Sequence, residues 1–279
     1  TGATSGIGLA TATELAGKGV FVIGTGRSES KCRQAYEIVK ETHPEAKIIF
    51  LNYDLSSLRQ VRELASEIKK QLATEGRQCL DVLVNNAGTV SSWYTSTIDG
   101  YELQFAVNHL APFLLTHILL PVIKAAPAGR VITVSSGSHF RTRIHWKDVF
   151  MRKHYNCLMA YKQSKLANVL FTAELNRRLG PGSNVRAFAI DPGLVNTDIG
   201  LKGTGGFVRW FWAKRSNRGD EPEKPAKCIA FLAGEPSVQS TEHYYWKDCM
   251  PLKPSRYAQN TKAAARLWDL SAKLCGINE

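Results

Sequence analysis

Tyr161 and Lys165 stand four residues apart in Tyr161-Lys162-Gln163-Ser164-Lys165, a spacing that places both on one face of a helix. A free tyrosine, with a pKa near 10, is a poor acid-base group at neutral pH. A lysine ammonium beside the phenol stabilises the phenolate and brings it into range. Such a pair can exchange a proton with an oxygen whose charge changes during a reaction. The spacing alone carries little information, because Tyr36 and Lys40 repeat it. A second chemical feature opens the chain: Thr1-Gly2-Ala3-Thr4-Ser5-Gly6-Ile7-Gly8, followed by the amphipathic run Leu9 to Leu15. Glycines let a backbone approach a pyrophosphate closely, and the N-terminus of the following helix offers unpaired N–H donors and a positive dipole end. The spacing is not the G-x-G-x-x-G of many dinucleotide binders.

These groups need a scaffold, and the hydrophobic pattern supplies one. Apolar runs of strand length (20–24, 47–51, 80–84, 130–135, 185–190, 244–246) alternate with helix-length segments (7–18, 29–42, 58–74, 100–125, 157–179, 225–232, 258–274). The alternation predicts a single α/β domain over 1–279, a doubly wound, Rossmann-type parallel sheet with helices on both faces. His43-Pro44 should stop the second helix, and Pro112 should kink the long one. The chain opens in the middle of a strand-to-helix turn, so the first strand is expected upstream of Thr1. Without it the neighbouring strands lose main-chain partners and the fold should be poorly stable.

Composition narrows the function. Of 279 residues, 44% are hydrophobic and 22% charged, the balance of a globular chain with a sizeable core. The net charge of +12 favours phosphate-bearing ligands, but the basic residues are scattered and no nucleic-acid motif accompanies them. No nucleic acid partner is expected. The six cysteines form no C-x-x-C pair and no zinc-type spacing with the seven histidines, so no metal site is expected and free thiols in a reducing compartment fit best. That means the cytoplasm or a cytoplasm-facing membrane surface. The longest apolar candidate, 110–123, contains Pro112, His117 and Pro121 and reads as a buried helix rather than a membrane span.

The glycine turn resembles T-G-x-x-x-G-x-G, the cofactor motif of the short-chain dehydrogenase/reductase family, and the resemblance continues in order along the chain. Asp54-Leu55 resembles the family's adenine contact, and Asn85-Asn86-Ala87-Gly88 its N-N-A-G segment. Asp191-Pro192-Gly193, with Val195 and Thr197, resembles its nicotinamide loop. The resemblance implies cofactor contacts from Gly2, Ser5, Gly6, Ile7, Gly8, Asp54, Leu55, Asn86, Ala87, Gly88, Tyr161, Lys165, Pro192, Gly193, Val195 and Thr197. It also implies four catalytic residues: Asn108, Ser136, Tyr161 and Lys165. In that scheme Tyr161 transfers a proton, Lys165 tunes it and binds the ribose, Ser136 orients a carbonyl, and Asn108 holds a water linking Lys165 to solvent.

The end of the second strand bears on cofactor choice. An acid there would bind a ribose 2′-hydroxyl, whereas Arg27 accommodates a 2′-phosphate, so NADP(H) is expected. Asn108 to Thr116, Tyr161 to Asn168, Ala265 to Asp269 and the twenty-five residues from Ser136 to Tyr161 resemble the retinol-dehydrogenase-like members of the family. This implies a small apolar carbonyl or alcohol substrate. The cluster Phe207-Val208-Arg209-Trp210-Phe211-Trp212 would form an apolar substrate wall or a contact with a membrane surface. The alternatives are a non-catalytic NADP-binding sensor and a basic adaptor that binds partners without cofactor. Oligomeric state is not legible.

Overall fold

A computed structural model describes residues 1–195 and 219–277. Its elements alternate as the pattern requires: α1 (Gly6–Gly17), β1 (Val22–Gly26), α2 (Glu29–Thr42), β2 (Ile48–Asn52), α3 (Leu58–Thr74) and β3 (Val82–Asn85). After these come α4 (Leu103–Phe105), a π turn (Ala106–Leu110), α5 (Ala111–Lys124), β4 (Gly129–Val134), α6 (Cys157–Leu179) and β5 (Val185–Asp191). Closing the described chain are α7 (Glu223–Gly234), β6 (Tyr245–Lys247), β7 (Met250–Pro251) and α8 (Thr261–Leu274). Strands β1 and β2 pair in parallel, and a second block runs β3-β4-β5-β6-β7. It is parallel except at its edge, where β7 lies antiparallel to β6. Between the blocks run Thr1 to Ala3: Ala3 N donates to Thr25 O at 2.8 Å, and Thr1 N to Val84 O at 2.7 Å.

Side chains of a strand point alternately to opposite faces, and β4 and β5 use both. Val131, Val185, Ala187 and Ala189 join a core with α3, α5, α6 and α8, while Ile132, Val134, Phe188 and Ile190 join one with α7. Helices therefore cover both faces, and the doubly wound α/β reading holds. On the first face Trp268 of α8 meets Phe113 edge-on at 5.0 Å and stacks on Phe171 at 5.9 Å; such pairs add about 0.5–1.5 kcal/mol beyond their buried area.

Several predicted boundaries move, each for a visible reason. The second strand sits two residues later than expected, at Val22–Gly26. Gly24, expected as the last residue of the strand, lies in its interior, packed so closely that a Cβ would lie 2.6 Å from the Phe50 ring. The long helix begins at Leu103 because the buried carboxylate of Glu102 caps it, accepting from Gln104 N and Phe105 N. Pro112 does not simply kink that helix. It follows a widened π turn, with Ala111 N bonded five residues back to Ala106 O. The last helix starts at Thr261 rather than 258, capped by Asn260. The stretch Leu103–Lys124, which contains the apolar candidate 110–123, is 22 residues long and by length and composition could cross a bilayer. An 18-residue window of it is 72% buried within the protein, as in a core helix. All six cysteines are free.

Candidate active site

A cleft of about 1060 Å³ opens where the C-terminal ends of β1, β3, β4 and β5 meet the N-terminus of α1, the place where doubly wound sheets bind ligands. The glycine turn forms its floor. At Gly8 a Cβ would lie 2.1 Å from Gly2 O, so any side chain there would push the turn apart. Asn86 fastens the turn from the other side, its Nδ2 donating to Thr1 O at 2.9 Å and to Gly2 O at 3.3 Å, while Ala87 N donates to Thr1 Oγ1 at 3.1 Å. Gly2, Ser5, Gly6, Ile7, Gly8, Asn86, Ala87 and Gly88 all line the cleft.

Asp54 and Leu55 line the same cleft, beyond β2; Asp54 Oδ1 accepts from Ser56 N at 2.9 Å. Arg27 is exposed directly after β1 and lines the cleft with Lys31, one turn into α2. The sequence reading missed Lys31, in the first turn of α2; a second cation shortly after Arg27 was the available signal. Pro192, Gly193 and Val195 lie in the lining too. Asp191 Oδ1 accepts from Gly193 N at 3.1 Å, and Val195 bridges to Asp220. Thr197 and the aromatic cluster at 207–212 fall outside the described residues.

The chemical groups converge at the end of β4. Ser136, Tyr161 and Lys165 line the cleft together. Tyr161 is 8% exposed and Lys165 2%. Lys165 Nζ donates to Val134 O at 3.0 Å and lies 5.7 Å from the centre of the Tyr161 ring. Burial pushes the Lys165 ammonium down to about 8, which leaves it mostly protonated at pH 7. Ser135 Oγ donates to Lys165 O at 2.7 Å, tying α6 to the strand end. Ser136 Oγ accepts from Ser138 N at 3.1 Å. Behind it, His139 Nε2 accepts from Ser255 N at 3.1 Å, so Nδ1 carries the proton and donates to Ser136 O at 2.9 Å. Burial holds His139 below the usual histidine range.

Asn108 has its side chain bonded to protein groups. Wholly buried in the π turn, it gives its side chain to the loop after β3: Oδ1 accepts from Thr89 N at 2.7 Å, and Nδ2 donates to Thr89 O at 3.1 Å and Ser164 Oγ at 2.9 Å. The amide is spent on protein groups and not offered to a water.

A parallel sheet with a glycine-floored cleft at its strand ends, and a serine, tyrosine and lysine at the end of β4, defines a dinucleotide-binding oxidoreductase architecture. The family model for short chain dehydrogenase matches residues 1–203. The chain belongs to the short-chain dehydrogenase family, oxidoreductases that use a nicotinamide cofactor. It is 37% identical to human retinol dehydrogenase 11 over 99% of this chain and 85% of that protein. To human polyprenol dehydrogenase it is 34% identical, over 99% and 84%. Among solved structures, an uncharacterised protein from Mycobacterium paratuberculosis superposes with a TM-score of 0.77 at 33% identity, covering 99% of this chain and 92% of the other. The landomycin C-6 ketoreductase LanV, solved with NADP and rabelomycin, superposes with a TM-score of 0.66 at 25% identity, covering 89% and 92%.

Proposed function

We propose that this protein transfers hydride between NADP(H) and a small apolar carbonyl or alcohol, with Tyr161 as the proton-transferring residue. The observation that carries the reading is the burial of Tyr161 and Lys165 in the glycine-floored cleft, beside Ser136. The cleft fits a dinucleotide: its floor admits no side chain at Gly8, and the N-terminus of α1 faces the opening. Arg27 and Lys31 would hold a 2′-phosphate, and the Asp54 carboxylate would meet an adenine amino group. When bound, the reduced nicotinamide supplies the hydride.

The residues around it manage charge. Ser136 donates a hydrogen bond to the substrate oxygen, and Tyr161 gives that oxygen its proton as negative charge develops. The Lys165 ammonium stabilises the resulting phenolate. Asn108 acts through its backbone. In an α-helix its carbonyl would accept from the N–H of residue 112, which is proline, so the carbonyl is the group left to hold a water on the way to Lys165. Leu103, Val107, Leu158 and Leu194 line the cleft and favour an apolar substrate. The relatives named for retinol and polyprenol support that substrate class, and the NADP in the ketoreductase supports the cofactor. The test is to incubate the protein with NADPH or NADH and a panel of apolar and polar aldehydes and ketones. Faster turnover is expected with NADPH and with the apolar members; equal rates with both cofactors, or a preference for polar carbonyls, would defeat that part of the reading.

A further inference from the structure

A second cavity, of about 1280 Å³, lies across the segment that follows Ser136 and shares no described lining residue with the cofactor cleft. Two stretches more than a hundred residues apart build it: 140–145, after the catalytic serine, and 253–259, before α8. Four cations line it, Arg141, Arg143, Lys253 and Arg256, and among the described residues no carboxylate does. None of the four forms an ion pair with another described residue. Four unneutralised cations around one concavity repel each other and raise the local potential for anions.

Two further features set this cavity apart from an ordinary basic surface. Thr142, only 6% exposed, forms part of the wall, and its Oγ1 has no hydrogen-bond partner; a buried hydroxyl normally has one. Arg141 has φ +56°, a left-handed conformation that non-glycine residues adopt at a cost and that concentrates at ligand sites. The remaining wall carries an apolar part, Phe140, Ile144, Met159, Pro254 and Tyr257, beside the polar His145, Ser255 and Gln259. The volume far exceeds that of a lone oxyanion.

We infer that this cavity binds a phosphate group carried on an apolar stem. The arginines meet the phosphate with charge-assisted hydrogen bonds, the Thr142 hydroxyl supplies a neutral one, and the apolar wall takes the stem. The inference does not depend on hydride chemistry.

The probe is dihexanoyl phosphatidic acid, used as a monomer in solution and titrated calorimetrically into the full chain with NADP⁺ present in excess. Inorganic phosphate is titrated in parallel. Saturable binding is expected, weakened by salt, and at least about tenfold tighter for the amphiphile than for inorganic phosphate, a difference of about 1.4 kcal/mol. Arg141→Glu/Arg256→Glu should weaken it at least about tenfold, and the milder Thr142→Val by a smaller factor with melting temperature retained. Arg27→Ala and the remote reversal Lys69→Glu/Lys124→Glu should leave it unchanged. Equal binding of inorganic phosphate overturns the apolar stem. Loss of binding in Arg27→Ala alone assigns the signal to the cofactor cleft, and equal loss in the remote reversal assigns it to general surface charge; either overturns the site.

Discussion

The chain carries two tyrosine-lysine pairs with identical spacing, and the structure treats them in opposite ways. On α2, Tyr36 is 36% exposed, and Lys40 turns away from it to the helix end, where Nζ donates to Pro44 O at 2.5 Å and to Ala46 O at 3.1 Å. On α6, Tyr161 and Lys165 are buried in the wall of the cleft, with the ammonium 5.7 Å from the ring centre. One lysine satisfies two carbonyls in the loop beyond a helix end; the other has been brought out of water beside a phenol. Spacing sets which side chains can meet. Burial, and what lies at the end of the neighbouring strand, sets whether the meeting has chemical value.

The sharpest way to break this contrast is Tyr161→Phe. The ring still packs, but the proton donor is gone, so turnover of a good carbonyl substrate should fall at least about 100-fold while NADPH titration is unchanged. Near-normal turnover would remove Tyr161 from the chemistry and leave the two pairs equivalent. Next in size is Arg27→Ala. A hydrogen bond to a charged group is worth about 1.5–3 kcal/mol, so NADPH affinity should drop roughly 10- to 100-fold with NADH affinity nearly unaltered. Lys31→Ala should act in the same direction and less. Parallel weakening of both cofactors would move the 2′-phosphate elsewhere.

A third experiment sharpens the contrast through pH. Lys165 titrates near 8 in the folded protein against 10.5 for its ordinary value, so the unfolded chain binds more protons between these limits. Native stability therefore rises with pH across that window, and below pH 8 the full penalty of the buried charge is present. Lys165→Met removes the penalty. Its stability relative to the parent should be highest at pH 7 and decline by up to about 3 kcal/mol as pH approaches 10.5, read from denaturant midpoints. An offset independent of pH would mean that the lysine is not held uncomfortably.

These cases also mark how far sequence alone reaches. The glycine turn, Ser136, and the Tyr161–Lys165 pair are local patterns, and the alternation of apolar runs was enough to order the strands that carry them. Arg27 was legible as a cation near a strand end, although its placement directly after β1 depends on the strand running two residues beyond Gly24, through Thr25 and Gly26. What escaped depends on distance along the chain. The link that continues from Ser136 through His139 joins His139 to Ser255, 116 positions apart, and nothing in either neighbourhood announces it. The second cavity is built the same way. Asn108 was recognised by its context, but its amide bonds to Thr89 and Ser164 exist only because a π turn rotates it toward the loop after β3.

The smallest expected effects belong to the exposed pair, and they test the contrast from its other side. Tyr36→Phe removes a hydroxyl from a side chain at the surface, so turnover and cofactor affinity should both stay within experimental error of the parent. Lys40→Met is more informative because that lysine does have work, though structural. It satisfies two carbonyls beyond the end of α2, where water can replace it, so the loss should be no more than about 1 kcal/mol of stability. Activity per folded molecule should be untouched. A measurable fall in kcat with Lys40→Met at full folding would show that α2 communicates with the chemistry. Burial in the cleft would then no longer suffice to separate the two pairs. If only the denaturation midpoint moves, identical spacing has been put to two uses, one holding a helix end and the other holding a charge.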